Sequence, residues 1–225
     1  KVNIEWIDTT ELSDGNVADI LAKVDGIIVP GGFGVRGTTG KIACIRYARE
    51  NQMPYLGICL GFQMAVVEYA RNVCGLSDAD STEIDPDTKT PVISILPEQK
   101  EIEGLGGNMR LGGQDVMLTP GTMAAELFGG AEHIRERFRH RFEVDPDYIA
   151  QLEEAGLIFS GKHGEHQIMQ ILELPRDVHP YFVAAQFHPE LTSRPLRPQP
   201  MFKGLVQAEI ETKLAGRGVL SGLDA

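Results

Sequence analysis

Only three cysteines occur, Cys44, Cys59 and Cys74. They form no C-x-x-C pair and leave one over in any disulfide scheme, which excludes a disulfide-stapled scaffold and fits a reducing compartment. A cytoplasmic location is expected. Long apolar runs are missing too: nothing reaches the roughly 18 consecutive apolar residues of a membrane span, and the N-terminus lacks the basic-then-apolar pattern of a signal peptide. Basic charge is scarce, with 21 lysines and arginines against 32 acidic residues and a net charge of -11. Such a balance argues against binding DNA or RNA, where clustered cations must displace counterions. No H-x-x-x-H or Cys/His cluster provides a metal site. With nucleic acid, membrane and metal set aside, the expected partners are small molecules or protein.

What is present is a chain of 225 residues with 42% hydrophobic content, enough for one sizeable α/β core. A single domain over residues 1–225 is expected. Val2 to Ile7 and Gly26 to Val29 read as β-branched strands separated by a helical pattern at 18–24, a β-α-β opening. Helices are expected at 39–51, 60–73, 123–128, 147–155 and 201–214. Strands are expected at 54–59, 91–96, 139–144, 157–161, 167–174 and 181–188. Residues 74–90 read as a surface loop, 98–113 as a glycine-rich excursion and 189–200 as a proline-rich loop. Strands alternating with helices predict a mostly parallel central sheet flanked by helices, with ligands at the strand C-termini.

Gly57-Ile58-Cys59-Leu60-Gly61 is a G-x-C-x-G corner between a predicted strand and a predicted helix. Its thiol stands where the G-x-S-x-G turn of other hydrolases exposes a nucleophile. The helix start favours thiolate over thiol and offers N–H groups to an oxyanion. A lone cysteine at a strand end is more often an inert core residue. The glycines on both sides reverse that reading for Cys59, whereas Cys44 and Cys74 lack such a frame.

A thiolate attacking a carboxamide needs an acid to protonate the leaving amine. Gln186-Phe187-His188-Pro189-Glu190 supplies an imidazole and, two positions on along an extended segment, a carboxylate to orient it. By itself this stretch would more often be a surface His-Pro turn. The other five histidines sit in turns or among charges and are weaker candidates. The loop Gly31-Gly32-Phe33-Gly34 ends a strand and can present a second N–H to the oxyanion. As a phosphate loop it is weak, because neither G-x-x-x-x-G-K-[ST] nor G-x-G-x-x-G is present.

Together, P-G-G-F-G, G-I-C-L-G-F-Q and F-H-P-E resemble the class I (triad-type) glutamine amidotransferases. Ser81-Thr82-Glu83, Gly107 to Gly112, Arg139 to Val144 and Thr192-Ser193-Arg194-Pro195 narrow the likeness to the C-terminal amidotransferase domains of CTP synthases. The resemblance implies a triad of Cys59, His188 and Glu190, and oxyanion donors from the backbone of Gly32 and Leu60. It also implies glutamine-binding positions at Gly61, Phe62, Gln63, Glu83 and Arg141. It implies hydrolysis of L-glutamine through a γ-glutamyl thioester, with ammonia passed to a synthetase domain that uses ATP and Mg²⁺ to aminate UTP, GTP acting as activator. No cofactor is expected in the chain itself, and a homo-oligomer, a tetramer, is expected of the whole enzyme. Because the chain begins with Lys1 and contains no phosphate loop, the synthetase domain is expected to lie outside it. So are the first strand and helix of the amidotransferase fold, leaving an exposed sheet edge. Two other readings compete. One is an amidotransferase serving GMP, anthranilate or carbamoyl-phosphate synthesis; the other is a binding module that kept the fold and lost the chemistry.

Overall fold

Tyr55 to Ile58 are buried at every position, the pattern of a strand covered on both faces. Among the described residues this strand, β2 (Tyr55–Ile58), is one of seven in a mixed sheet. The others are β1 (Ile27–Val29), β5 (Arg110–Leu118), β6 (His133–His140), β8 (Ile158–Lys162), β9 (Met169–Glu173) and β10 (Phe182–Ala185), and the spatial order is β1-β2-β10-β9-β8-β5-β6. The structure, a computed structural model, describes residues 1–96 and 109–216. Pairing is parallel across β1, β2 and β10 and antiparallel across the remaining strands. A smaller sheet pairs β3 (Ala79–Ser81), β4 (Thr90–Ser94) and β7 (Glu143–Val144) in the order β3-β4-β7.

Helices cover both faces of the large sheet, as the alternation of strands and helices led one to expect. On one face α3 (Leu60–Asn72) is buried from Leu60 through Ala70. It lies between the large sheet and the small one, with α5 (Pro146–Glu154) in the same core. On the other face, α4 (Met123–Leu127) and α6 (Pro200–Gly216) pack with the opposite side chains of β2, β9 and β10. A third cluster joins α1 (Val17–Leu21) to α2 (Thr38–Glu50).

Several boundaries differ from expectation. Val2 to Ile7 forms no strand; Val2, Ile4 and Trp6 are exposed, and β-branched composition without a neighbouring strand leaves the backbone unpaired. The loop expected at 74–90 contains β3. Of the glycine-rich excursion at 98–113, residues 98–108 lie outside the described residues, and 110–113 are the start of β5 rather than loop. The strand expected at 139–144 is two: β6 begins at His133 and the chain bends at Arg141 before β7. Along β6, Glu136, Phe138 and His140 are buried while Arg135, Arg137 and Arg139 are exposed. The strand has the right period but too few apolar residues to announce itself.

Candidate active site

The β2–α3 corner is built by what its glycines omit. A Cβ at Gly57 would run into the Tyr55 hydroxyl and the Ala184 Cβ (2.8 Å), and one at Gly61 into the Val29 carbonyl oxygen. With those side chains absent, α3 starts directly over β1 and β2. Cys59, between them, takes φ 51° and ψ -98°, a region that costs an L-residue about 1–3 kcal/mol and needs support from around it. That support is local. The Cys59 N–H donates to Ala185 O at 2.7 Å, Gln63 N–H donates to Cys59 O at 3.1 Å, and the wholly buried Tyr55 hydroxyl donates to Gly61 O at 2.8 Å.

Strand β10 lies beside β2 and parallel to it, so the chain leaving β10 emerges at the same end of the sheet as Cys59. After buried Gln186 and Phe187, the His188 N–H donates to Arg137 O of β6 at 2.8 Å. Its Nδ1 meets Glu190 Oε1 at 2.7 Å; an ionised carboxylate only accepts, so Nδ1 carries the proton. The sequence pattern predicts this pair on one side of an extended segment. Instead His188 caps a 3-10 turn, Pro189–Leu191, and that turn brings Glu190 back onto the ring.

Nε2 of His188 is buried with no hydrogen-bond partner among the described residues, and Cys59 Sγ points to Arg139 O at 3.8 Å. The two are neighbours without being aligned for proton transfer, as in many unliganded sites. Rotation about the Cys59 Cα–Cβ bond re-aims the sulfur. The neighbouring Cys59 sulfur first, and the Glu190 hydrogen bond second, push the imidazole pKa up to about 10, with burial opposing. Burial works against the charge of Glu190, but the His188 hydrogen bond and a backbone N–H outweigh it and hold the carboxyl below its ordinary value.

The loop after β1 lies over this pair. A Cβ on Gly31 would stand 3.0 Å from His188 Cε1 and 3.6 Å from Cys59 Cβ, and one on Gly32 would stand 3.3 Å from Leu60 Cδ2. Leu60 opens α3, so its N–H has no acceptor within the helix. Glu83, on the turn after β3, accepts the Gly34 N–H at 2.9 Å and ties the loop to the small sheet. Arg141 is exposed on the bend between β6 and β7. Gln63 is turned inward: its Nε2 donates to Phe142 O at 3.0 Å and to Gln186 Oε1 at 3.2 Å, pinning that bend to α3. The Phe62 side chain is wholly buried in the core. Helical periodicity aims it at the sheet, so only its backbone is available to a ligand. The structure thus brings Cys59, His188, Glu190, Gly32 and Leu60 together, with Glu83 and Arg141 on flanking loops.

Some contributors carry no sequence signal. The Arg139 carbonyl reaches Sγ and Tyr55 braces the corner through contacts that only tertiary packing creates. Gly31 could have been singled out as the first glycine of the G-G-x-G loop. Buried Glu143 accepts from Arg110 Nε at 2.7 Å and meets His140 Nε2 at 2.8 Å. Burial raises its pKa, but His140 and then Arg110 overcome this and keep it low. Among the described residues no group of three or more His, Cys, Asp or Glu is placed to hold a metal, and no helix is long and apolar enough to cross a membrane.

Comparison with known proteins gives a consistent set of likenesses. The model of the family "Glutamine amidotransferase class-I" matches residues 1–208. CTP synthases of Natronomonas pharaonis and Thermococcus kodakarensis are 58% and 56% identical over 94% and 95% of the chain. That of Staphylococcus saprophyticus is 52% identical over 93%. The chain spans 37%, 39% and 38% of those proteins' own lengths. Among solved structures, the Trypanosoma brucei CTPS glutaminase domain with bound acivicin superposes with TM-score 0.86 at 35% identity, covering 94% of this chain and 81% of that one. A GMP synthase component from Thermoplasma acidophilum (TM-score 0.57, 16% identity, 91% of this chain and 82% of that one) shares the fold alone.

Proposed function

The chain belongs to the class-I glutamine amidotransferase family, and from that premise we propose that it is the amidotransferase portion of a CTP synthase, hydrolysing L-glutamine with Cys59 as nucleophile. The observation that carries the reading is the meeting of Cys59, on its left-handed corner, with the His188–Glu190 pair at the ends of adjacent parallel strands. Identities of 52–58% to CTP synthases favour that acceptor pathway over the other amidotransferases. A non-catalytic module is disfavoured, because a bonded His–Glu pair and a backbone-strained cysteine are costly to keep without use.

In this mechanism the Cys59 thiolate attacks the side-chain carbonyl carbon of glutamine and forms the C–S bond. The backbone N–H groups of Gly32 and Leu60 hold the resulting oxyanion. His188 gives its Nε2 proton to the nitrogen, the C–N bond breaks, ammonia leaves and a γ-glutamyl thioester remains. Water then attacks the thioester while His188 takes its proton, the C–S bond breaks, and glutamate departs. Glu190 stays ionised throughout and balances the imidazolium charge. Glu83 and Arg141 carry the charges that suit the ammonium and carboxylate of the amino acid, and Gln63 sets the bend bearing Arg141. Amination of UTP, with its need for ATP and Mg²⁺ and its activation by GTP, belongs in this reading to a synthetase domain of the same enzyme.

The test is alkylation by a glutamine-shaped electrophile such as acivicin, the molecule bound by the T. brucei relative, followed by peptide mapping. Burial pushes the Cys44 thiol up to about 11 and also raises that of Cys74, so both stay protonated near neutral pH. Cys59 is expected to take the label alone, and free glutamine to slow it. Equal labelling of the three cysteines, or no protection by glutamine, would overturn the assignment. Added UTP, ATP, Mg²⁺ and ammonia should give no CTP with this chain alone, and CTP formed under those conditions would contradict the division of roles.

A further inference from the structure

The segment after β10 carries His188 and Glu190 and then runs through Thr192-Ser193-Arg194-Pro195 to α6, and what holds it to the sheet is a buried carboxylate. Glu136, on the inward face of β6 and 5% exposed, accepts from Thr192 Oγ1 with Oε2 at 2.9 Å and from Gln199 Nε2 with Oε1 at 3.1 Å. The strap is thereby gripped at two points, on either side of the Ser193 to Arg197 stretch. Two further links to β6 lie alongside: the His188 N–H on Arg137 O, and Phe138 edge-on to Phe187 with centroids 5.8 Å apart.

Resting on the glutaminase reading above, we propose that Glu136 is a positioning residue for His188. By clamping Thr192 and Gln199 onto β6 it fixes the turn on which the imidazole and Glu190 meet. The polarity of the clamp is determined. Gln199 Oε1 already accepts the Met201 N–H at 2.7 Å, so its amide cannot flip and must offer Nε2, which requires an acceptor on β6. The Thr192 hydroxyl has a second acceptor, Pro189 O at 3.2 Å. An amide in place of the carboxylate therefore still closes the clamp: its oxygen takes the Gln199 N–H, and its NH₂ donates to Thr192 Oγ1 while the Thr192 proton turns to Pro189 O. Shape and an acceptor are needed here, and charge is not. Burial accordingly raises the Glu136 pKa, its two hydrogen bonds only partly offsetting this, without bearing on the clamp.

The experiment compares Glu136→Ala, Glu136→Gln and Thr192→Val in the full-length enzyme by glutaminase kcat and KM. The downfield His188 Nδ1–H proton resonance, identified by its loss in His188→Gln, is followed in parallel. Glu173→Gln is the control: it alters another buried carboxylate, which caps α4 through the Met123 and Ala124 N–H groups at the far end of β9. Glu136→Ala should lower kcat roughly 10- to 100-fold, the usual cost of losing a group that orients a functional one, with KM within about twofold and the resonance broadened away. Thr192→Val should do the same more weakly and serves if Glu136→Ala does not fold. Glu136→Gln should restore both readouts, and Glu173→Gln should lower Tm while leaving both intact. The proposal is overturned if Glu136→Ala, or Thr192→Val in its place, keeps wild-type kcat and resonance, or if Glu136→Gln is as impaired as Glu136→Ala. Should the wild type hydrolyse no glutamine, the functional reading fails and the resonance alone decides the clamp.

Discussion

Replacing Gly31 by alanine adds one methyl group against the imidazole of His188. Its carbon would lie 3.0 Å from His188 Cε1 and 3.6 Å from Nδ1, about 0.5–1 Å inside the optimum separation of two carbon atoms for the first contact. The ring cannot simply swing aside. Nδ1 is held at 2.7 Å by Glu190 and the His188 backbone at 2.8 Å by Arg137 O, so the strain moves the imidazole by roughly half an ångström or stretches the Glu190 bond. A 1 Å misplacement of a reacting group costs about 100-fold, so Gly31→Ala should lower glutaminase kcat about tenfold. The Cys59 Cβ contact, at 3.6 Å, is ordinary, and Glu83 and Arg141 are untouched, so KM should change little. Overpacking at this exposed loop should cost about 1 kcal/mol, a shift of about 2–4 °C in the Tm of a domain of this size. The assay is steady-state glutamine hydrolysis by the full-length enzyme, with thermal melts in parallel. A kcat within twofold of wild type in a protein of normal Tm would show that the Gly31–His188 approach does not constrain the base.

Other outcomes follow from the same geometry. Cys59→Ala should abolish glutamine-dependent CTP formation, and Glu190→Gln should reduce it while leaving a residue of activity, because an amide still accepts from Nδ1–H but no longer balances the imidazolium. Both should retain ammonia-dependent CTP formation; its loss in Glu190→Gln would mean that Glu190 holds the fold or a domain contact. The raised His188 pKa has a sign. A group shifted from 6.5 up to about 10 on folding stabilises fully below pH 6.5 and loses that contribution as pH rises through about 10. The Tm advantage of wild type over His188→Gln should therefore shrink across that window, and an advantage that grows with pH would refute the shift.

Legibility in the sequence tracks how local each feature is. The G-x-C-x-G corner is readable because its two glycines and its cysteine lie within five residues, between a strand and a helix that are largely apolar, even though the atoms those glycines make room for include Ala184 and Val29 from distant parts of the chain. The α2, α3, α5 and α6 helices are legible to within a few residues for the same reason. Strand β6 reads short because its inward face alternates Glu136, Phe138 and His140, and the start of β5 reads as loop because Gly112 and Gly113 stand opposite Phe138 and Arg137. Their strand character comes from pairing with each other, a long-range contact that composition does not encode.

By itself, then, the sequence determined the chemistry on offer: a thiol on a strand-to-helix corner, an imidazole with a carboxylate two residues on, and a glycine loop with room to approach them. Only the tertiary structure decided that these meet. Parallel pairing of β2 with β10, far apart along the chain, sets Cys59 and His188 at one end of the sheet. The 3-10 turn, rather than an extended strand, folds Glu190 onto the ring. Arg137 O, Arg139 O and the Glu136 carboxylate, all on an edge strand, hold the strap and meet the sulfur. Backbone carbonyls look alike in any sequence, and a buried glutamate reads as a solvated one until packing removes the water around it.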